Sequence, residues 1–251
     1  MGAAFGGEKP LLTVMLQCET PEVALARIEK ALPLGADAFG LQVECLRPEY
    51  QNGKTVKRLL DAGAGKPFYV TNYRYSSNEG KSDLELADGL IKLADWGATL
   101  VDVMGDLFCK HPDELTEDER AVKRQTALID ALHARGAQVL MSSHLYRYAP
   151  AERVLEIARE QKRRGADVIK IVTAAADMTQ QIENLRITDL LKRELGAPFL
   201  FLSGGVCSVH RRLGMKLGCC MGLCVTEHDK MSTPAQPLLT VLKTVRDNLG
   251  F

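Results

Sequence analysis

The chain has 251 residues, 46% of them hydrophobic and 25% charged, and is long enough to bury a core without a metal or disulfide staple. Its 32 basic residues equal its 32 acidic residues, which argues against a general binder of nucleic acid or of anionic membranes. No apolar run approaches about 18 residues, and no basic segment followed by an apolar one opens the sequence. We therefore expect a cytoplasmic protein with neither a membrane span nor a secretory signal.

Eight apolar runs of strand length recur along the chain, and longer segments of helical period lie between them. The runs lie at residues 11–17, 38–46, 67–74, 99–105, 138–146, 167–174, 199–204 and 221–227. Gly136 and Gly165 stand where two of the helical segments should end, because glycine readily adopts the left-handed backbone that closes a helix. No linker-like segment interrupts the alternation, so we expect a single domain over residues 1–251.

Eight strand–helix units in about 250 residues predict a (β/α)8 TIM barrel, an α/β fold whose buried parallel strands are continuously apolar. A doubly wound open sheet is the competing fold. It would usually carry a glycine-rich phosphate-binding turn after its first strand, and LLTVMLQCETPE has none. The sequence therefore favours the barrel.

Polar residues near the carboxyl ends of the strands are candidates for the active site, because barrel enzymes place their chemistry there. Lys170 is the most informative, since it lies within the apolar run ADVIKIVTA. Burial lowers the pKa of a lysine, and a neutral amine can attack a ketone to form an imine. The alternative is a structural lysine that lies along the strand or pairs with Asp102 or Glu44.

Three further residues each have a catalytic and a structural interpretation. His144 could move protons to and from a carbinolamine, or it could be a structural hydrogen-bond donor. Glu79 could fix the His144 tautomer, or it could be a solvated loop charge. Arg211 could clamp a substrate carboxylate, for which a guanidinium is suited, or it could lie on the surface. The charged stretch at residues 110–120 is expected to be a solvated loop and the first turn of a helix.

Seven cysteines are present, and their odd number in a chain without an apparent signal argues against a disulfide scaffold. Cys207, Cys219, Cys220 and Cys224 cluster in sequence, which raises the hypothesis of a metal site. No C-x2-C pair and no His at zinc-finger spacing accompany them. We therefore favour small, buried, reduced side chains and expect no metal.

Five stretches in order resemble the type I 3-dehydroquinate dehydratase family, the Schiff-base barrel enzymes of the shikimate pathway. They are GADAFGLQVECL, PFYVTNYRYSSNEG, VLMSSHLY, GADVIKI, and RRLGMKLG followed by STPAQP. The resemblance extends from about residue 11 to the end of the chain. It implies a lyase that eliminates water in the syn sense, without a metal or organic cofactor. It also implies a small carboxylate substrate, and we expect a homodimer in the cytoplasm.

The resemblance also implies roles for individual residues. Lys170 would form the imine, His144 would be the general acid and base, and Glu79 would orient His144. Arg211 would bind the substrate carboxylate. The remaining substrate-binding residues would be Arg74, Ser232, Gln236, Gln42 and Ser203.

Several positions depart from the family pattern. Gly40 and Gln42 stand where the family has a Glu and an Arg, and Met104 replaces an acidic residue. One extra residue separates Arg74 from Glu79. The lid glycine is Ala235, and Ser203-Gly204-Gly205 replaces a Ser-Met-Gly sequence. These changes affect substrate recognition more than the chemistry.

Three hypotheses follow. The first is 3-dehydroquinate dehydratase activity. The second keeps the imine but changes the substrate, as in a class I aldolase; the Ser203-Gly204-Gly205 turn is similar to phosphate-binding turns of barrel aldolases. The third is a barrel that only binds a ligand, and the presence together of Lys170, His144 and Glu79 makes it the weakest.

Overall fold

The computed structural model describes residues 4–7, 9–205 and 209–250, in which eight strands alternate with eight helices. The strands are β1 Leu11–Leu16, β2 Ala38–Gln42, β3 Phe68–Thr71, β4 Leu100–Met104, β5 Gln138–His144, β6 Val168–Ala175, β7 Phe199–Gly205 and β8 Met221–Cys224. The helices are α1 Pro21–Ala31, α2 Gly53–Ala62, α3 Asp83–Asp95, α4 Glu119–His133, α5 Ala151–Arg163, α6 Met178–Glu194, α7 His210–Leu213 and α8 Leu239–Asn248.

All eight strands belong to one parallel sheet, in the order β7-β6-β5-β4-β3-β2-β1-β8. Within the described residues β7 and β8 share no ladder, but the Cys220 N–H donates to the Phe199 carbonyl at 2.8 Å. That bond brings the two outer strands together where β8 begins. The prediction of a (β/α)8 TIM barrel is confirmed.

The strands β2 and β3 are shorter than the apolar runs that predicted them. Gln42 and Thr71 form the last pair of the β2–β3 ladder. Beyond Gln42 the chain turns into a 3-10 helix over Val43–Cys45, closed by the Leu46 N–H donating to the Val43 carbonyl at 3.0 Å. Apolar side chains here are buried by the loops over the barrel, so hydrophobicity alone overestimates strand length.

Short polar caps and glycines set the helix boundaries. Ser82 forms a capping box with Glu85 at the start of α3, and Asp177 caps α6 through the Gln180 N–H. Thr20 occupies the cap position of α1 but makes no side-chain bond there, and proline follows it. Gly165 follows Arg164, the C-cap residue of α5, and has a φ of 101°, as the sequence predicts.

The described cysteines of the C-terminal cluster are buried, and Cys207 lies outside the described residues. Burial raises the pKa of the Cys219 thiol to about 12, so it remains protonated. Among the described residues no group of three or more His, Cys, Asp or Glu side chains could hold a metal ion. In the same part of the chain no helix is both long and apolar enough to cross a membrane.

Candidate active site

A cavity of about 430 Å³ opens at the carboxyl ends of the strands. Six of the residues singled out in the sequence line it: Gln42, Arg74, His144, Lys170, Arg211 and Gln236. Three others, Glu79, Ser203 and Ser232, are not among its lining residues. The barrel therefore brings together side chains that lie up to about 190 residues apart, because parallel strands all end at the same mouth.

Lys170 lies on β6 with only 4% of its surface exposed, and its amine faces other polar groups inside the barrel. The Nζ donates to the hydroxyl of Tyr73 at 2.6 Å, to that of Tyr69 at 2.8 Å and to Asp102 Oδ2 at 3.2 Å. Lys170 therefore both pairs with Asp102, as the structural interpretation expects, and lies at the cavity, as the catalytic interpretation expects. A fully hydrogen-bonded lysine can be buried at this depth because none of its donors is left unsatisfied.

Asp102 is the common acceptor beneath the amine. Tyr69 donates to its Oδ2 at 2.5 Å, Tyr73 donates to the same oxygen, and Ser142 Oγ donates to Oδ1 at 2.6 Å. Burial, and then the charge of Asp102, raise the pKa of both tyrosines well above the usual value. Both hydroxyls therefore keep their protons and act as donors.

His144 is held by Glu114 and not by Glu79. The His144 Nδ1 lies 2.5 Å from Glu114 Oε2, and the backbone N–H of His144 donates to the same oxygen at 2.5 Å. Because a carboxylate only accepts, Nδ1 carries the hydrogen and Nε2 is the nitrogen left for proton transfer. The ring also packs edge-on against Tyr73, with centroids 5.3 Å apart.

The predicted pairing of Glu79 with His144 is wrong, because Glu79 is exposed and Glu114 contacts His144 instead. The segment after Arg74 folds into a 3-10 turn over Ser76–Asn78 that buries Asn78 and leaves Glu79 exposed. Asn78 Nδ2 donates to the Tyr73 carbonyl at 2.9 Å, which fixes the turn.

Glu114 was missed because it lies in the charged stretch at residues 110–120, which the sequence indicates to be solvated. The loop after β4 instead folds back over the barrel mouth. Asp113 beside Glu114 is buried and pairs with Arg147 and Arg153. The available sequence signal is the concentration of acidic residues in the loop that joins β4 to α4.

Arg74 lines the cavity, but acidic neighbours hold its guanidinium. It makes a bidentate pair with Asp83 at 2.8 and 2.9 Å and a further bond to Asp106 Oδ1 at 2.6 Å. Burial lowers the pKa of Arg74, but Asp83 and Asp106 outweigh this effect and raise the pKa above its usual value. The arginine is therefore charged and rigid, and Asp106 is a second cavity residue that sequence reasoning missed.

Arg211, Gln42 and Gln236 bring other polar groups to the cavity wall. The Arg211 Nε donates to the Ser203 carbonyl at 3.0 Å. Gln42 Nε2 donates to the Tyr75 hydroxyl at 2.9 Å. Among the described residues, Gln42 Oε1 and Gln236 Oε1 are buried without a hydrogen-bond donor. Both carbonyl oxygens can therefore accept a hydrogen bond from a ligand.

Ser203 and Ser232 lie behind the cavity wall. The Ser203 hydroxyl accepts from Asn184 Nδ2 at 2.8 Å, and the Ser232 hydroxyl donates to the Asp229 carbonyl at 2.9 Å. The residue next to Ser232 reaches the cavity instead: Thr233 lines it and accepts from Gln17 Nε2 at 3.3 Å.

Gly40 leaves space that Met15 fills. A Cβ at Gly40 would overlap the Met15 Sδ and lie 2.8 Å from its Cε, and Tyr69 Cδ1 would be 3.3 Å away. This part of the wall is therefore apolar where the family pattern has an acidic side chain. Other apolar side chains continue it around the cavity: Met104, Val172, Leu202 and Leu223.

Glu44 lies just outside the cavity and is completely buried. Thr71 Oγ1 donates to it at 2.8 Å, and its own backbone and that of Tyr73 also donate hydrogen bonds. Burial nevertheless dominates and raises the pKa of Glu44 to about 7. The folded protein therefore binds a proton there that the unfolded chain has lost.

We expect Glu44→Gln to make the stability of the protein less sensitive to a rise from acidic to neutral pH. The unfolded carboxyl titrates near 4.5 and the folded one near 7, so between these values stability of the wild type falls as pH rises. At about 1.4 kcal/mol for each pKa unit, the variant should gain about 2–3 kcal/mol relative to the wild type on going from about pH 5 to about pH 8. Urea unfolding at the two pH values measures this gain. If the unfolding free energies of the variant and the wild type differ by the same amount at both pH values, Glu44 is not buried in its protonated form.

The chain is similar to one protein family and to several solved structures. Residues 12–250 match the family model described as Type I 3-dehydroquinase. Solved 3-dehydroquinate dehydratases from Geobacillus kaustophilus and Clostridium difficile superimpose with TM-scores of 0.81 and 0.80, at 19% and 16% identity. The alignments cover 98% of this chain in both cases, and 93% and 94% of those chains. The Enterococcus faecalis enzyme gives a TM-score of 0.77 at 18% identity, over 98% of this chain and 97% of that one. No curated protein matches the sequence.

Proposed function

The chain belongs to the type I 3-dehydroquinase family, and we therefore propose that it is an imine-forming hydro-lyase acting on a carboxylated cyclic hydroxy-ketone of the 3-dehydroquinate class. The observation that carries the proposal is the buried amine of Lys170 at the floor of the cavity. Such an amine, once neutral, is a nucleophile for a ketone. His144, with its Nδ1 hydrogen held by Glu114, supplies the acid and base that the reaction needs.

The reaction begins with the substrate carboxylate on Arg211 and the ketone carbon at Lys170. The neutral Nζ attacks that carbon and forms a carbinolamine, and His144 gives a proton to the departing hydroxyl, so that water leaves and an iminium remains. His144, now deprotonated, removes the proton next to the iminium carbon, which gives an enamine and restores the proton on His144. Loss of the neighbouring hydroxyl as water, again with a proton from His144, completes the elimination. Hydrolysis of the imine releases the product and restores Lys170.

Covalent trapping is the direct test of this proposal. Borohydride reduces an imine to a stable amine, so incubation with a panel of keto acids followed by intact mass should show one adduct per chain. A related structure, from Clostridium difficile, was solved with covalent modified comenic acid, which supports a test of this kind. If none of the keto acids, 3-dehydroquinate included, leaves an adduct, the proposal fails.

We expect only weak activity on 3-dehydroquinate itself, because Gly40 and Gln42 remove a charged pair from the wall. Charge-assisted hydrogen bonds contribute roughly 1.5–3 kcal/mol each, so losing one that acts in the transition state lowers kcat/KM by about 10- to 150-fold. The apolar surface of Met15 in this region offers no replacement donor. A steady-state kcat/KM at or above about 10⁴ M⁻¹s⁻¹ would show that other residues compensate.

A class I aldolase that accepts phosphorylated substrates is the second candidate function. A further cavity of about 680 Å³ brings Gly204 and Gly205 beside Arg211, and it shares Tyr146 and Thr233 with the first cavity. A glycine turn with an arginine is a suitable environment for a phosphate group. Cleavage of phosphorylated keto sugars, with no dehydration of carboxylated ring ketones, would favour this candidate.

The proposal extends to a cytoplasmic homodimer that binds neither nucleic acid nor membranes. The support is the balance of 32 basic and 32 acidic residues, together with the family to which the chain belongs. Sedimentation of the purified protein measures the assembly state, and a monomer would contradict this part of the proposal.

A further inference from the structure

The amine of Lys170 lies among three hydrogen-bond acceptors. All three hydrogens of an ammonium have partners here: the hydroxyls of Tyr69 and Tyr73 and the carboxylate of Asp102. An ammonium has no lone pair and cannot attack a ketone. If Lys170 is the nucleophile, one of its protons must therefore leave before the carbon–nitrogen bond forms.

The same cluster offers a path for that proton. The Tyr73 hydroxyl accepts from Lys170 Nζ at 2.6 Å and at the same time donates to Asp102 Oδ2. One N–H bond of Lys170 can break as an O–H bond forms on Tyr73, while the hydrogen that Tyr73 carried moves to Asp102. The products are a neutral amine, an unchanged phenol and a neutral carboxylic acid, so no charge is left unbalanced in the buried site.

We propose that Tyr73 is a catalytic residue that relays a proton from the Lys170 amine to Asp102 and so generates the nucleophile. This inference rests on the proposed function, because it concerns the step before imine formation. Tyr69 contacts the same two groups but is completely buried, whereas Tyr73 keeps a small exposed surface and packs edge-on against His144. Tyr69 is therefore a positioning residue for the amine.

The other ionisable groups around Tyr73 come from its own segment and from four neighbouring strands or the turns that follow them. In its own segment the Tyr69 hydroxyl lies 3.3 Å from that of Tyr73, and the Tyr75 ring stacks on the Tyr73 ring. Lys170 on β6 and Asp102 on β4 contact its hydroxyl, and His144 on β5 contacts its ring. Glu44, which follows β2, accepts a hydrogen bond from the Tyr73 backbone. Of these groups, only Asp102 accepts a proton directly from the Tyr73 hydroxyl.

The test compares rates of imine formation in a set of variants. The wild type, Tyr73→Phe, Tyr69→Phe and Tyr50→Phe are mixed with 3-dehydroquinate, or with glyoxylate as a small carbonyl, and quenched with borohydride at a series of times from pH 6 to pH 10. Tyr50 lies outside the cavity, so Tyr50→Phe is the control for loss of a phenol hydroxyl. Intact mass gives the adduct formed at each time.

We expect Tyr73→Phe to form the adduct about 100-fold more slowly than the wild type near neutral pH, in line with the usual contribution of proton transfer by a side chain. The deficit should shrink towards pH 10, where the solvent can remove the proton, and the final yield should equal that of the wild type. Asp102→Asn, which keeps the shape but not the proton acceptor, should show the same pH dependence. Tyr69→Phe should show a smaller deficit that does not depend on pH.

Other results overturn the relay. A Tyr73→Phe rate equal to that of Tyr50→Phe near neutral pH would refute it and leave the proposed function intact. A deficit of the same size at every pH would indicate only a structural role for the hydroxyl. A pH-dependent deficit in Tyr69→Phe alone would move the role to Tyr69 and refute the assignment to Tyr73. Absence of any adduct in the wild type would refute both the relay and the proposed function.

Discussion

Replacing Lys170 by Ala should abolish the borohydride-trapped adduct completely. The reason is chemical, because the amine is the atom that bonds to the ketone carbon, and no other lysine lines the cavity within the described residues. Turnover of any substrate that proceeds through the imine should disappear with the adduct. Intact mass after borohydride reduction measures the first effect, and the rate of product formation measures the second.

Two further variants make this result interpretable. Lys170→Met keeps the length of the side chain without the amine, so it separates loss of chemistry from loss of packing. Lys170→Ala and Lys170→Met both leave Asp102 without its cationic partner, which costs stability, and a thermal unfolding curve establishes that the chain is folded. Lys92→Ala, on the outer face of α3, is the control lysine and should give the wild-type adduct. Equal adduct in Lys170→Ala would contradict the assignment.

Replacing Glu114 by Gln should lower kcat by about 100-fold, while Glu79→Gln should leave kcat within about twofold of the wild type. Glu114 accepts the Nδ1 hydrogen of His144 and fixes the ring with Nε2 available for proton transfer. A neutral amide binds that hydrogen more weakly and can also present its own N–H, which favours the wrong tautomer. Glu79 is exposed and its charge lies outside the cavity.

The two glutamine variants form a matched pair, since each removes one carboxylate charge from a loop at the same end of the barrel. Steady-state kinetics on whichever substrate gives the imine adduct provides the comparison. An effect confined to Glu79→Gln would show that the loop after β3 rearranges during turnover and that Glu114 has only a structural role.

The barrel could be predicted from the sequence because the pattern of a buried strand followed by a helix occurs eight times. Each parallel strand is buried on both faces and therefore reads as a continuous apolar run, and eight such runs indicate the fold together. Lys170 could be found for the same reason. A charged residue within one of those runs contradicts its surroundings, and only a partner or a function inside the barrel allows it to remain there.

The partners of the candidate catalytic residues could not be predicted in the same way. The Glu114–His144 pair joins a loop to a strand across 30 positions of the sequence, and no periodic pattern records such a contact. The contacts of Lys170 with Tyr69 and Tyr73 could not be predicted either, because tyrosine is common in a strand and in the segment that follows one. Their hydroxyls acquire importance only when the barrel closes and β3 faces β6 across its interior.

The Met15 side chain in the space beside Gly40 also makes substitutions at these two positions depend on each other. A side chain introduced at Gly40 meets the Met15 thioether, which is the flexible end of the Met15 side chain and must move aside before the new group reaches the cavity. The reverse order, a smaller residue at position 15 first, leaves a void beside Tyr69. Neither change alone therefore gives a wall that is both polar and fully packed. A change of polarity in this part of the cavity wall therefore depends on positions 15 and 40 together.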